Sequence, residues 1–281
     1  MPTTYTKETK ESRERKIQQG RGYGEGPDYT PWIFTHEVPS LGLSSNPKSY
    51  KCRREMHLLS DLEFRFFLVA EYSPIVSDIR EQFPLLDIDE TIAIAKQHGI
   101  KHPIDPGSRE EKVMTTDFLL TFVDGHEPLY QAIAVKSSQS KDNKQSASNN
   151  SLTGKRTLEK LEIERLFWEK RDIPWKIITE RDVSDAVFRN LKNYHGNYVL
   201  RDAVPEQKLA AISAWLETQI RSKQKALREI TTECDQHFDL EHGIGLHIVW
   251  NRLAHKQWET NIHKIINPEK PLHLLDERKA K

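Results

Sequence analysis

Apolar residues at Leu59, Leu62, Phe66 and Val69 recur at three- and four-residue intervals, which puts them on one face of a helix. Ser60 or Asp61 can start that helix and Pro74 closes it. Residues 76–83 read as an extended stretch stopped by Pro84, and residues 88–98 as a short helix ended by Gly99. Residues 113–123, rich in Thr, Phe, Leu and Val, and the apolar run 129–135 flank the turn signal Asp124-Gly125. That combination predicts a β-hairpin. Residues 137–154 are polar and low in complexity, the pattern of a mobile surface loop. A helix over 157–170 and a short buried strand over 174–179 follow. Helix, strands, helix, strand indicates an α/β unit. Beyond Glu180 the pattern changes to charged helical segments, 205–234 and 245–258, without a convincing strand. A domain boundary is therefore expected near residue 181.

With 281 residues the chain can build two cores of ordinary size. Its 42 Lys and Arg equal its 42 Asp and Glu, so no global field draws the molecule onto nucleic acid or an anionic membrane, and any DNA affinity must come from local patches. No apolar run reaches the roughly 18 residues of a membrane span. Cys52 and Cys234 lie far apart with no metal-ligand spacing, which fits a reducing cytosol. The expected setting is cytoplasmic, with no membrane partner.

Within the strand-like run 113–120, the ionisable Asp117 needs a partner or a metal to be tolerated. Lys136 ends the next apolar run. If the two strands pair, both groups can meet at one sheet edge, and the Val135 carbonyl points the same way. Glu63 borders the buried stripe of the first helix and faces inward. Hard oxygen donors of this kind suit Mg²⁺, with Mn²⁺ as a substitute. Two carboxylates, a carbonyl and a cation are what phosphodiester hydrolysis requires. The plainer alternative is a solvated edge lysine and a half-buried acid paired with an arginine.

Longer strings add to this. His57 to Glu63 (HLLSDLE), Ser77 to Leu86 (SDIREQFPLL), Gly99 to Pro103 (GIKHP), Met114 to Phe118 (MTTDF) and Arg156 to Glu162 (RTLEKLE) occur in order. With Gly20-Arg21-Gly22 to Tyr29, Pro31-Trp32 and Glu37-Val38-Pro39, they resemble the TnsA family, while the tail beyond 181 matches only loosely. The resemblance implies a restriction-endonuclease-like core, a mixed sheet flanked by helices, over 18–180. It implies a mainly helical, winged-helix-type partner-binding domain over 181–281, while the polar, charged start, 1–17, reads by composition as a flexible arm. It also implies a catalytic acid, acid, lysine set carried onto Glu63, Asp117 and Lys136. The task it implies is metal-dependent cutting of transposon-end DNA at the 5′ ends in cut-and-paste transposition, inside a bacterial cell. A DDE transposase subunit (TnsB-like) handles the 3′ ends, and an ATPase regulator (TnsC-like) contacts the C-terminal domain.

One position departs from the family: two before the lysine, where an acid or glutamine is usual, stands Ala134. Metal binding then rests on Glu63, Asp117, the Val135 carbonyl and Glu164. The competing readings are a catalytically weakened scaffold bridging transposase and ATPase, and a stand-alone restriction or repair nuclease. Arg80 and Gln82 alternate on an extended segment and can reach phosphate or base edges, with an ion pair to Asp78 or Glu81 as the structural alternative. Lys101 and His102 can touch backbone phosphate. Gly20, Gly22, Gly24 and Gly26 lack the strand and Gly-Lys-Ser/Thr of a nucleotide loop and read as part of a flexible basic arm. Glu159, Glu162 and Glu164 read most simply as the solvated side of a helix packed through Leu158, Leu161 and Trp168, with Glu164 the one of interest as a ligand.

Overall fold

The structure, a computed structural model, describes residues 7–38, 43–124, 127–138, 154–204, 206–222 and 224–275. The chain divides into two compact units, Met1–Asp182 and Val183–Lys281. Among the described residues no helix is long and apolar enough to cross a membrane.

The first unit begins with α1 (Lys10–Gln18), capped by Thr9. A flexible arm was expected over 1–17, and residues 7–17 correct that expectation. Glu8 is buried, its carboxylate accepts from the Val113 amide at 2.8 Å, and its own amide donates to Asp105 at 3.2 Å. Directed hydrogen bonds across about a hundred residues hold a stretch whose composition has little to bury. The glycine-rich segment is also built in. Arg21 pairs with Glu37 at 2.7 Å, and Gly22 has φ +83° with Pro84 Cγ only 2.3 Å from where a Cβ would sit. Only glycine fits so close a backbone approach.

A small ladder, β1 (Lys48–Ser49) with β2 (Arg54–Glu55), precedes α2 (Asp61–Tyr72). Ser60 caps α2 by accepting from the Glu63 amide, and Phe66, Phe67, Leu68 and Ala70 are buried. Then come β3 (Val76–Leu85), α3 (Ile88–Gln97), β4 (Met114–Asp124), β5 (Glu127–Val135), α4 (Lys155–Glu169) and β6 (Trp175–Ile178). The sheet order is β3-β4-β5-β6, antiparallel through the first three strands and parallel between β5 and β6, so α4 lies on the crossover. The hairpin pairs from Asp124↔Glu127 to Phe118↔Ile133. Gly125, of the expected turn, and 139–153, of the expected loop, lie outside the described residues. Pro84 does not stop β3: it pairs with Thr115 on an edge strand, where the missing N–H costs no ladder bond.

Helices cover both faces of the sheet. Phe118 packs its ring on Phe66 of α2, 5.2 Å between centroids. Its neighbour Leu119 joins Leu85, Ile94, Ala132, Ile163, Phe167 and Trp168 in the core beneath α3 and α4. On α4 the buried stripe runs Thr157, Leu161, Glu164, Phe167, Trp168. Leu158, expected to pack, falls off its side and is 50% exposed.

The second unit is helical: α5 (Asp185–Gly196), α6 (Leu209–Ser222), α7 (Leu227–Phe238) and α8 (Ile244–Ala254). The expected helix over 205–234 is two, because the polar run after Ile220 carries no apolar face to bury until Leu227. Helix α8 forms the centre, with Ile244, Ile248, Val249, Trp250 and Leu253 all buried. Asp235 fixes the α7–α8 corner by accepting from the Gly243 and Gly245 amides, each at 2.7 Å. Beyond the helices, Thr260 and Leu274 form an antiparallel bridge.

Candidate active site

The sheet is irregular at one level. On a regular strand, residues an even number apart share a face. Yet Met114 and Leu119, five apart, belong to the same core cluster. Thr116, bonded to Trp168 and Glu164 of α4, faces away from Phe118, which packs on α2. The alternation therefore breaks at Asp117. Across the ladder, between the pairs Glu81↔Phe118 and Phe83↔Thr116, stands Gln82 with φ +47°. A non-glycine residue in the left-handed region costs of order 1–3 kcal/mol and marks a place where surrounding structure overrides local preference.

At this break the Asp117 carboxylate meets Lys136. Oδ2 of Asp117 accepts from Lys136 Nζ at 2.6 Å and from the Val135 amide at 2.6 Å. In an extended strand the N–H and C=O of one residue point to the same side, so the Val135 carbonyl is directed to the β4 side as well. The Lys136 amide turns the other way, to Ile178 O.

Glu63 comes from the first turn of α2. Its Oε1 accepts from Ser60 Oγ at 2.9 Å, and its Oε2 accepts from the Leu59 amide at 2.9 Å and from Gln82 Nε2 at 3.1 Å. Ser60 and Glu63 thus form a reciprocal cap at the helix start, which orients the carboxylate. Glu164 enters from α4, where Oε1 accepts from Thr116 Oγ1 at 2.6 Å and Trp175 Nε1 at 3.0 Å. Burial, and then the Asp117 charge, push Glu63 and Glu164 each up to about 7. Burial alone would lower Lys136, but Asp117, with Glu164 and Glu63, more than offsets it, and the ammonium is held above its usual value.

These shifts describe two buried glutamates, each opposed by Asp117 and drawn to the same lysine. Such a set is short of positive charge, and its donors are hard oxygens, which fits a divalent cation of the Mg²⁺ type. Among the described residues no group of three His, Cys, Asp or Glu is arranged as a ready metal cage. The fit is thus to an ion held by one or two carboxylates and water. Ala134 is fully buried, pairs with Ile177, and supplies no donor.

Other expected site residues lie elsewhere. Arg80 is buried, donates to Thr121 Oγ1 at 3.2 Å, pairs with Asp78 at 3.6 Å, and lies over the rings of Phe83 and Tyr130. Gln82 is buried and spent on Glu63. The shared DNA-facing side expected for the two is corrected here, because the positive φ of Gln82 breaks the alternation and both heads turn inward. His102 is buried between Thr91 Oγ1 and Glu111. Lys101 lies on an exposed rim. The part Gln82 plays toward Glu63, and Thr116 and Trp175 toward Glu164, escaped the sequence reading. The only signal was a polar residue amid each apolar run.

Carboxylates and a lysine gathered where a strand breaks, on a mixed sheet flanked by helices, fit metal-assisted hydrolysis of a phosphodiester. Residues 73–180 match the family described as TnsA-like endonuclease N terminal, and residues 182–262 the one described as TnsA endonuclease C terminal. The tail, read from sequence as only loosely similar, thus has its own family match. Over 257 residues the chain is 38% identical to the Transposon Tn7 transposition protein TnsA of Escherichia coli, covering 91% of this chain and 88% of that protein. The chain belongs to the TnsA family and is an endonuclease subunit of a transposase.

Proposed function

We propose that this chain hydrolyses phosphodiester bonds at the 5′ ends of a cut-and-paste transposon, with Asp117 and Lys136 at the cutting centre. The observation that carries this reading is the 2.6 Å pair of Lys136 Nζ with Asp117 Oδ2, beside two buried acids whose ionisation Asp117 opposes. Asp117 and the Val135 carbonyl, joined by Glu63 or Glu164 and completed by water, would hold Mg²⁺, or Mn²⁺ in its place. When bound, the ion supplies Lewis-acid charge to the scissile phosphate.

The chain's own groups do the rest. Lys136, kept protonated, is a cation at neutral pH, so it orients the attacking water or a phosphate oxygen and offsets transition-state charge rather than serving as a base. The Val135 amide and Lys136 fix Asp117, and the Ser60, Leu59 and Gln82 donors fix Glu63.

In the assembly proposed, transposon-end DNA is shared with a DDE transposase subunit (TnsB-like). The helical unit Val183–Lys281 serves an ATPase regulator (TnsC-like). Excision assayed with the partner subunits tests the cutting centre: Asp117→Ala or Lys136→Ala should lower 5′ cutting by roughly 10²- to 10⁴-fold. Unchanged 5′ cutting would overturn the reading. Ala134 favours one competitor, a scaffold that assembles without cutting. Calorimetry separates the two, because the scaffold reading requires that Mg²⁺ binding dependent on Asp117 be absent while the complex still forms.

A further inference from the structure

Away from the candidate active site, the first unit holds a cavity of about 380 Å³ near residues 101–106. Four cations line it from three separate stretches: Lys101 after α3, Lys112 before β4, and Arg156 and Lys160 in the first two turns of α4. Its walls are tied. Arg156 donates to Lys101 O at 2.5 Å, and the Lys112 amide donates to Pro103 O at 2.9 Å.

Of the acids nearby, Glu159 pairs with Arg156 itself at 2.9 Å and Glu111 with His102 at 2.6 Å, which leaves the three lysines as the uncompensated charge. Among the described residues no carboxylate is recorded within ion-pair distance of Lys101, Lys112 or Lys160. The first turn of α4 carries no acid, so the positive end of the helix adds to the same field. Burial, and then the like charges of Arg156, Lys112 and Lys136, hold Lys160 below the usual lysine value. Scattered solvated lysines repel one another little. Here four cations share one concavity, and Lys160 feels the charge of Lys136, which brings the pocket into the field of the cutting centre.

We propose that this pocket seats a backbone phosphate of the DNA strand being cut, a neighbour of the scissile phosphate, with Lys112 and Lys160 as its anchors and Arg156 and Lys101 as its rim. The proposal deepens the reading of Asp117 and Lys136 as the cutting centre and rests on it for the identity of the strand. A phosphodiester suits the site because it brings a full negative charge and oxygens able to accept from several ammonium groups at once.

The test compares the full-length protein with its Lys112→Gln/Lys160→Gln double variant on a fluorescent duplex carrying a transposon end, titrated across salt concentration. Losing the one phosphate contact should make the slope of log Kobs against log salt shallower by about 0.9. Weaker binding with that slope change, restored by Lys112→Arg/Lys160→Arg, is the expected result. An unchanged slope overturns the proposal, as does a loss that arginine does not restore and that tracks a lowered melting temperature. Inorganic phosphate provides a further arm: if it raises the melting temperature of the unaltered protein but not of the double variant, while the DNA slope is the same for both, the pocket takes free phosphate and the proposal fails. Asp117→Asn should abolish cutting at an undiminished salt slope. Retained cutting there would count against the cutting centre and leave the pocket result standing.

Discussion

Replacing Glu164 by glutamine isolates the electrostatic cost of the site. Both donors to this side chain, Thr116 Oγ1 and Trp175 Nε1, reach the same oxygen, Oε1, so an amide turned with its oxygen that way keeps both hydrogen bonds. What it removes is the charge. Glu164 is raised from 4.5 to about 7 in the folded protein, first by burial and then by Asp117. Between those values the folded state holds the proton more tightly than the unfolded one, so stability falls as pH rises through the window, and the loss is complete above about 7. A shift of that size, at about 1.4 kcal/mol per pH unit, sets an upper figure of about 3 kcal/mol. In metal-chelated buffer, Glu164→Gln should therefore stabilise the first unit by up to about 3 kcal/mol at pH 8 and by little at pH 4.5. Hydrogen–deuterium exchange of the β4 and α4 amides reads the stability of this unit directly. A gain of equal size at both pH values, or a loss at pH 8, would refute the reasoning, because neither follows from a buried charge.

Three other expectations are as direct. Gly22→Ala should destabilise by about 1–3 kcal/mol, since a Cβ would enter Pro84 and φ is +83°, and urea denaturation would show a lowered midpoint at unchanged m-value. Gln82→Gly should relax the backbone at φ +47° while removing the donor to Glu63, so stability changes by less than about 1 kcal/mol as 5′ cutting falls; cutting at the original rate would show that the Gln82 hydrogen bond does not position Glu63. His247 is lowered from 6.5 by burial and then by Arg201, and it lies 2.7 Å from Asn197 Oδ1. A lowered folded value means the unfolded state charges first, so its contribution is present above pH 6.5 and lost as pH falls below. His247→Gln should therefore flatten the acid side of the melting-temperature profile, and an unaltered slope between pH 6.5 and 5 would contradict this.

Much of the first unit was legible because periodicity reports directly on burial. The stripe Leu62, Phe66, Val69 marked α2, although its buried face is Glu63, Phe66, Phe67, Leu68 and Ala70 while Leu62 and Val69 are half-buried, and the runs on either side of Asp124 marked the hairpin. An acid inside an apolar strand drew attention to Asp117 for the same reason: burying a charge requires a partner. What was hidden depends on groups far apart in sequence. The docking of Glu8 on Val113 leaves no periodic trace, and α1 and its preceding residues read as a tail. Arg80 looked like a surface cation because its alternation with Gln82 was taken as regular, whereas Phe83 and Tyr130 take its head group inward. The segment 205–234 was charged enough to look continuous, although the break before Leu227 follows from the lack of apolar residues there.

The left-handed residue opposite Asp117 separates two things usually bound together in a β-sheet. Were Gln82 and its partner level ironed into ordinary pleats, every ladder pair on either side could survive, and so could both hydrophobic layers. Asp117 would then no longer bear on both the acid from α2 and the acid from α4. If Asp117 is the cutting centre proposed above, chemistry hangs on this fault line alone, and a lineage that loses it keeps its fold.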